Sequence, residues 1–308
     1  MTDSLHAGDS AATRCGFVAL IGAPNVGKST LVNALVGSKV TIVSRKVQTT
    51  RALIRGIAID DHSQIILVDT PGIFSPRRRL DRAMVSTAWS GAHDADLVCM
   101  LIDAKIGLDE EADSILGKLA TVAHEKVLVL NKIDLVPREK LLALAKAAND
   151  RQTFVRTFMI SALSGDGVDD LRHALGQMVP PGPFHYPEDQ MSDAPMRQLA
   201  AEITREKIFL KLHQELPYQS TVETDSWTER KDKSIHIEQT IFVERENQRK
   251  IVLGKGGATI KSIGEEARRE IGEIVGVPVH LFLFVKVREN WGDDPDRYRQ
   301  MGLEFPKE

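Results

Sequence analysis

Apolar runs and helical repeats take turns along the first part of this chain. Residues 16–21, 52–59, 64–68, 97–102, 126–130 and 154–160 are short runs of strand length. Between them, residues 28–36, 80–89, 108–122, 138–148 and 168–178 carry apolar side chains at helical spacing, and Gly37 closes the first of these helices. Strands buried on both faces, alternating with helices, predict an α/β fold with a doubly wound, mostly parallel sheet. The connection at 60–63 is too short for a crossover, so it reads as a hairpin and one edge of the sheet is antiparallel.

The pattern changes after residue 178. Four of residues 179–187 are proline, which continues neither a helix nor a central strand. The stretch predicts a linker over 179–190 that separates a first domain (15–178, after a tail at 1–14) from a second (191–308). There a helix at 195–215, strands at 221–228 and 233–244, a helix at 259–274 and a strand at 277–287 predict a small α+β fold. No internal repeat or low-complexity tract interrupts either part.

Composition narrows the class further. With 308 residues the chain is long for one core, and 42% hydrophobic with 27% charged residues fits globular domains, not a fibrous or disordered chain. No apolar run reaches the roughly 18 residues of a membrane span, and the polar start lacks the apolar core of a signal peptide, so a cytoplasmic location is expected. Cys15 and Cys99 sit in apolar runs and are expected as buried core residues, not as a disulfide or metal site. Net charge is −3, and residues 181–308 hold 19 Lys and Arg against 23 Asp and Glu. Nucleic-acid binding by the second domain would therefore need a local cluster of cations.

Candidate chemistry begins at Gly22-Ala23-Pro24-Asn25-Val26-Gly27-Lys28-Ser29, a G-x-x-x-x-G-K-S pattern between a predicted strand and a predicted helix. In that setting the backbone from Gly22 through Asn25, Val26 and Gly27 to Thr30 can close around phosphate oxygens. Lys28 can reach the β and γ phosphates, and Ser29 can ligate Mg²⁺. Asp69-Thr70-Pro71-Gly72 ends another strand, placing Asp69 for the Mg²⁺ shell and the Gly72 N–H for the γ phosphate. Asn131-Lys132-Ile133-Asp134 ends a third. A carboxylate at Asp134 accepts both N1–H and the exocyclic amine of guanine, whereas adenine would leave a buried Asp134 unpaired. Ser161-Ala162-Leu163 closes the next strand and can buttress the base. GTP and GDP are the nucleotides these residues imply.

In this order the four motifs resemble the translation-factor-like class of P-loop GTPases. The resemblance implies a first switch at Ser44-Arg45-Lys46-Val47-Gln48-Thr49-Thr50-Arg51, in which a threonine closes on Mg²⁺ when the γ phosphate is present. Thr50 is preferred and Thr49 is the alternative. Many such GTPases place a water-orienting glutamine after the Asp-x-x-Gly motif, but this chain has Ile73. Unaided hydrolysis is expected to be slow, with help from a monovalent cation or a partner. Asn25 stands at the P-loop position that similar bacterial GTPases associate with K⁺, and it either positions that ion or only fixes the turn.

In the second domain, Gly254-Lys255-Gly256-Gly257 is a G-x-x-G loop leading into a helix with Ile260, Ile263, Ala267 and Ile271 on one face. Residues 249–261 hold Arg249, Lys250, Lys255 and Lys261 and no acid. Glycines admit phosphates close to the backbone, and an apolar helix face beside them supports unstacked bases, the KH mode of gripping single-stranded RNA. The phenylalanines of the strand at 277–287 are expected to face the core, because they alternate as strand interiors do.

Together with Phe242-Val243-Glu244-Arg245-Glu246 and Val285-Lys286-Val287-Arg288-Glu289-Asn290-Trp291, these motifs resemble the Era family of bacterial GTPases over nearly the whole chain. The resemblance implies a C-terminal KH domain, binding of the 3′ end of 16S ribosomal RNA, a part in 30S subunit assembly and maturation, and peripheral association with the cytoplasmic face of the inner membrane. A monomer is expected. The rival reading is a GTP-regulated protein- or membrane-interaction module, which Glu265, Glu266 and Glu270 on the helix after Gly257 weaken. A P-loop kinase is argued against by the 131–134 motif.

Overall fold

Two sheets organise the chain. The computed structural model describes residues 12–44, 46, 49–51, 53–76, 78–213, 216–289, 291 and 294–306. The expectations for residues 1–11, Arg45, Val47, Gln48, Ala52, Glu215 and Asn290 lie outside the described residues. The first sheet has the order β2-β3-β1-β4-β5-β6, from β1 (Arg14–Ile21), β2 (Ile54–Asp60), β3 (Ser63–Asp69), β4 (Leu97–Asp103), β5 (Glu125–Asn131) and β6 (Arg156–Ile160). β2 is antiparallel to β3, with Asp60 opposite Ser63, and the other pairings are parallel.

Every residue of β3 and β4 is buried, as strands covered by helices on both faces must be. The helices are α1 (Lys28–Val36), α2 (Arg79–Asp94), α3 (Glu110–Leu119), α4 (Arg138–Asn149) and α5 (Val168–Met178). Strand order reverses about β1, so the carboxyl ends of β1, β3 and β4 form the crevice where open α/β sheets bind ligands. Bounds move by a few residues from the sequence expectation. α3, for example, begins at Glu110 because Asp109 caps it, accepting from the Ala112 N–H at 2.8 Å. Cys15 and Cys99 are free and buried, and burial pushes the Cys99 thiol up to about 12.

The proline-rich segment is strapped along the first domain. Cys15 N–H donates to Pro180 O and Gly182 N–H to Thr13 O. The fully buried Gln64 accepts from the His185 and Tyr186 N–H groups and donates to Tyr186 O. Ile57 N–H donates to Met191 O, and Arg55 pairs with Asp193 at 2.7 Å.

In the second sheet, β7 (Ser220–Glu229) pairs antiparallel with β8 (Ile235–Val243), and β8 parallel with β9 (Val279–Val287). α6 (Met196–Lys211), α7 (Glu246–Leu253) and α8 (Ala258–Val275) cover one face, and α9 (Pro295–Gln300) follows. The sequence pattern missed α7, which is short and buries only Gln248 and Val252.

β9 also corrects the expectation for its aromatic residues. Phe282 and Phe284 are 46% and 48% exposed. The aliphatic set of the strand turns inward instead: Leu283 and Val285 pack with Ile263, and Val279 and Leu281 with Ala267 and Ile271. Either set alternates correctly, so periodicity could not choose. α8 approaches closely enough that a Cβ on Gly264 would lie 3.4 Å from Leu283, a spacing suited to aliphatic side chains.

The C-terminal segment crosses back to the first domain. Trp291, Tyr298 and Leu303 are buried against Leu80, Ala83 and Met84 of α2.

Candidate nucleotide site and nucleic-acid interface

At the carboxyl edge of the first sheet a cavity of about 960 Å³ is lined by Asn25, Gly27, Lys28, Ser29, Thr30, Thr50, Gly72, Asn131, Lys132, Asp134, Ser161 and Ala162, among others. Parallel strands bring these motifs together because each lies just past the end of its strand. The Gly22–Gly27 turn is held by its neighbours: Gly22 O accepts from the Ile73 N–H at 3.1 Å, and Val26 O from Asn131 Nδ2 at 2.8 Å. Gly27 is irreplaceable on two counts. Its φ of 100° lies in the left-handed region, and a Cβ there would sit 2.3 Å from Asn131 Nδ2.

Lys28 donates to Gly22 O and Ala23 O from a buried position. Burial pushes its ammonium down to about 8, opposed by the charge on Asp69. Asp69 is fully buried, and burial pushes its carboxyl up, opposed by hydrogen bonds from Ser29, Thr41 and Thr50 and by the charge of Lys28. Its Oδ2 accepts from Ser29 (2.8 Å), Thr41 (2.9 Å) and Thr50 (3.2 Å), and Ser29 Oγ lies 2.9 Å from Thr50 Oγ1. Asp69 Oδ1 is buried and has no hydrogen-bond partner among the described residues. Thr49 points elsewhere, to Ser44 Oγ and Lys46 O.

At the far end, Asn131 Oδ1 accepts from the Lys132 and Ala162 N–H groups. Lys132, at φ 66°, donates to Asn25 O and Asp103, each at 2.6 Å. Asp134 is exposed on the cavity rim, which corrects the expectation of a buried carboxylate: the penalty for leaving it unpaired arises only when a base covers it. Asn25 also has a left-handed backbone, φ 62°, and Ile73 is buried in the core.

Sequence reasoning missed several contributors. Thr41 reaches Asp69, and Asn33 fixes the 40–41 backbone through its side chain. Phe209, Leu210 and His213, at and beyond the end of α6, line the same cavity from the second domain. Their sequence carries no motif, and only the packing of the two domains places them there.

In the second domain, Gly254 has φ 74° and a Cβ there would lie 2.2 Å from Thr259 Oγ1, which locks the turn between α7 and α8. The cations around it are not equivalent. Arg249 pairs with Glu246 at 2.9 Å and Lys261 lies 4.0 Å from Glu265. Lys250 and Lys255 are exposed and make no ion pair among the described residues. Beside the loop, Ile260, Lys261, Gly264, Glu265 and Arg268 of α8 face Leu281, Phe282 and Leu283 across a groove of about 370 Å³. His236 packs on Phe282, with ring centroids 4.8 Å apart.

Comparisons with known proteins converge on this pair of sites. Residues 17–132 match the family of 50S ribosome-binding GTPases, and residues 215–292 match the KH domain family. The chain is 83% identical to GTPase Era of Bradyrhizobium sp. strain BTAi1 over 308 residues, all of both chains. It is similar to Era solved in complex with MgGDPNP and nucleotides 1506–1542 of 16S ribosomal RNA, at 36% identity and TM-score 0.88, covering 94% of this chain and 99% of that one. An Aquifex aeolicus Era variant bound to GDP·AlF4⁻ matches with the same score, identity and coverage.

Proposed function

The chain belongs to the Era family of GTPases, and from that premise we propose that it is a GTP-hydrolysing switch whose KH domain holds the 3′ end of 16S ribosomal RNA and assists 30S subunit assembly and maturation. The observation that carries this reading is the convergence of four strand-end motifs on one cavity, in a chain whose second domain presents a separate G-x-x-G loop where Lys250 and Lys255 make no ion pair among the described residues.

In the first domain, the turn from Gly22 to Gly27 with Thr30 would cradle the phosphates through backbone N–H groups, and Lys28 would meet the β and γ phosphates. Mg²⁺ fits the residues present: the orphaned, buried Asp69 Oδ1 needs a partner, and Ser29, Thr50 and Asp69 already converge. These three would hold the ion, which when bound neutralises charge on the β and γ phosphates. Asn131, Lys132 and Asp134, with Ser161 and Ala162, would hold guanine. Ile73 offers no polar atom to orient the attacking water, so the chain's own residues bind and position more than they activate.

K⁺ belongs to this reading through Asn25. Its left-handed backbone supports a turn-fixing role equally well. If Asn25 positions the ion, hydrolysis is faster in K⁺ than in Na⁺ at equal ionic strength, and Asn25→Ala removes the difference. Equal rates in both salts would exclude K⁺.

In the second domain, Gly254, Lys255, Gly256 and Gly257 would clamp the RNA backbone, with Arg249, Lys250 and Lys261 nearby and Phe282 offering an exposed ring for stacking. Peripheral membrane association is the remaining part of the family reading, and among the described residues no helix is long and apolar enough to cross a membrane. On α8, Glu266 pairs with Lys211 and Glu270 with Lys39 and Lys207. That helix face is engaged within the protein, which supports RNA over a membrane as the partner of the domain.

The test is crosslinking to cellular RNA with mapping of the bound sites. Reads from the wild type should pile up at the 3′ end of 16S RNA and vanish for Lys255→Asp/Gly256→Asp, while GTP binding persists. Reads spread without preference, or unchanged in the variant, would overturn the RNA assignment.

A further inference from the structure

Arg51 follows Thr50 directly, yet its side chain leaves the first domain. It is 3% exposed. Its guanidinium donates to Ser220 O at 2.8 Å, Tyr218 O at 3.0 Å and Pro217 O at 3.3 Å. The centroid of the Phe209 ring lies 5.8 Å from the guanidinium carbon and that of the Trp291 ring 5.6 Å from it. Trp291 is itself fixed, donating from Nε1 to Gln219 O at 2.9 Å. The second domain thus surrounds one buried cation with three carbonyls and two rings. Among the described residues no carboxylate hydrogen-bonds to the guanidinium, and Glu202 and Asp81 act on it only through their charge.

Such a socket suits arginine alone. The planar fork reaches several carbonyls at once and packs on aromatic faces, whereas an ammonium is a point donor. A buried cation is also a severe constraint, because leaving it or its carbonyl partners unpaired is costly. The backbone at 51 is therefore pinned to the second domain, and Thr50 is pinned one residue away. The neighbours agree: Arg205 of α6 donates to Thr49 O, Glu206 accepts from the Val43 N–H at 2.8 Å, and Lys46 donates to Phe209 O and Leu212 O.

We propose that Arg51 is a positioning residue for GTP hydrolysis: seated in the Phe209, Trp291 and 217–220 socket, it holds the Thr50 hydroxyl beside Ser29 and Asp69, so that the second domain sets the geometry of the Mg²⁺ and γ-phosphate site. The proposal rests on the reading of Thr50 as the switch ligand. It goes beyond that reading by making a G-domain threonine depend on a KH-domain pocket. It also gives a route from RNA to hydrolysis, since any shift of the 217–220 turn or of Trp291 would reach Thr50 through one rigid side chain.

The test uses the full chain and compares Arg51→Met, Arg51→Lys, Trp291→Phe and Thr50→Ala with the wild type. Read-outs are kcat, KM and the affinity ratio for GDPNP over GDP at several Mg²⁺ concentrations. A misplaced group costs up to about 100-fold in rate, so Arg51→Met should lose roughly 10- to 100-fold in kcat. It should lose the Mg²⁺-dependent preference for the triphosphate, yet keep GDP affinity within about 2-fold. Arg51→Lys should recover part of the loss, and Trp291→Phe, acting from the second domain, should share its direction. A merely structural arginine would lower the thermal midpoint without moving the GDPNP-to-GDP ratio. If Arg51→Met does not fold, Trp291→Phe decides alone. Wild-type ratios in folded Arg51→Met or Trp291→Phe, with Thr50→Ala impaired, overturn the inference. Wild-type ratios in Thr50→Ala overturn the reading of Thr50 and the inference with it.

Discussion

Asn131 Nδ2 donates to Val26 O at 2.8 Å, so one side chain at the end of β5 holds the Gly22–Gly27 turn at the end of β1. The same amide's oxygen accepts from the Lys132 and Ala162 N–H groups. Asn131 thus ties the Gly22–Gly27 turn to the backbone at Lys132 and Ala162, which the proposed reading makes the phosphate and base ends of the cavity.

Asn131→Ala removes three hydrogen bonds, two of them buried, each worth about 1 kcal/mol. GTP and GDP affinity should fall together by roughly 100-fold, with their ratio unchanged because no γ-phosphate contact is touched. Calorimetric titration with both nucleotides measures this, and a loss confined to GTP would contradict the spacer role.

If Asp134 holds guanine as proposed, Asp134→Asn replaces an acceptor of two hydrogen bonds from the base with a group that presents a donor. Loss of bonds to a charged acceptor, about 1.5–3 kcal/mol each, should cut GTP affinity by roughly 100-fold or more. A xanthine nucleotide should gain, since its 2-oxo group accepts from the amide. Competition binding decides, and equal wild-type affinity for ATP and GTP would sink the guanine assignment.

The G-x-x-G loop should show its charge in salt dependence. Four cations read from the sequence would give a slope near −3, but Arg249 faces Glu246 and Lys261 faces Glu265. With Lys250 and Lys255 as the free contributors, affinity for a single-stranded RNA should fall with log salt at a slope of about −1.4. Lys255→Ala should reduce it to about −0.7, and a salt-independent affinity would remove this loop from the interface.

Between the domains, Lys39 and Lys207 bridge Glu206 and Glu270. Burial raises the Glu270 carboxyl, but hydrogen bonds and charge from Lys207 and Lys39 outweigh it and hold the group below its ordinary value of 4.5. A depressed carboxyl stabilises above its unfolded value and loses that contribution as pH falls through the folded one. Because Glu270 is partly exposed, Glu270→Gln should be less stable than wild type by about 1 kcal/mol at pH 7, with the gap closing below the ordinary carboxylate range. Parallel thermal melts across pH test this, and a gap that persists in acid would assign the effect to packing.

Much of this was legible in the chain itself. A parallel strand followed by a helix delivers whatever lies at its carboxyl end to one edge of the sheet, so the motifs at 22–29, 69–72, 131–134 and 161–163 share a cavity once periodicity shows β1, β3, β5 and β6. Local turn chemistry also carried over, as at Gly37, which caps α1 with φ 76°. What periodicity could not rank was decided by the fold. Thr49 and Thr50 offer the same hydroxyl, and only the path of the 41–51 segment over Asp69 separates them. Phe282 and Leu283 alternate equally well, and the close approach of α8 turned the aliphatic set inward. Arg51 reads as one more cation in a polar loop, because its partners lie 166 to 169 residues away. Contacts at that separation leave no local pattern: they depend on how two finished domains meet, and a buried guanidinium takes its meaning from the carbonyls and rings that tertiary packing brings around it.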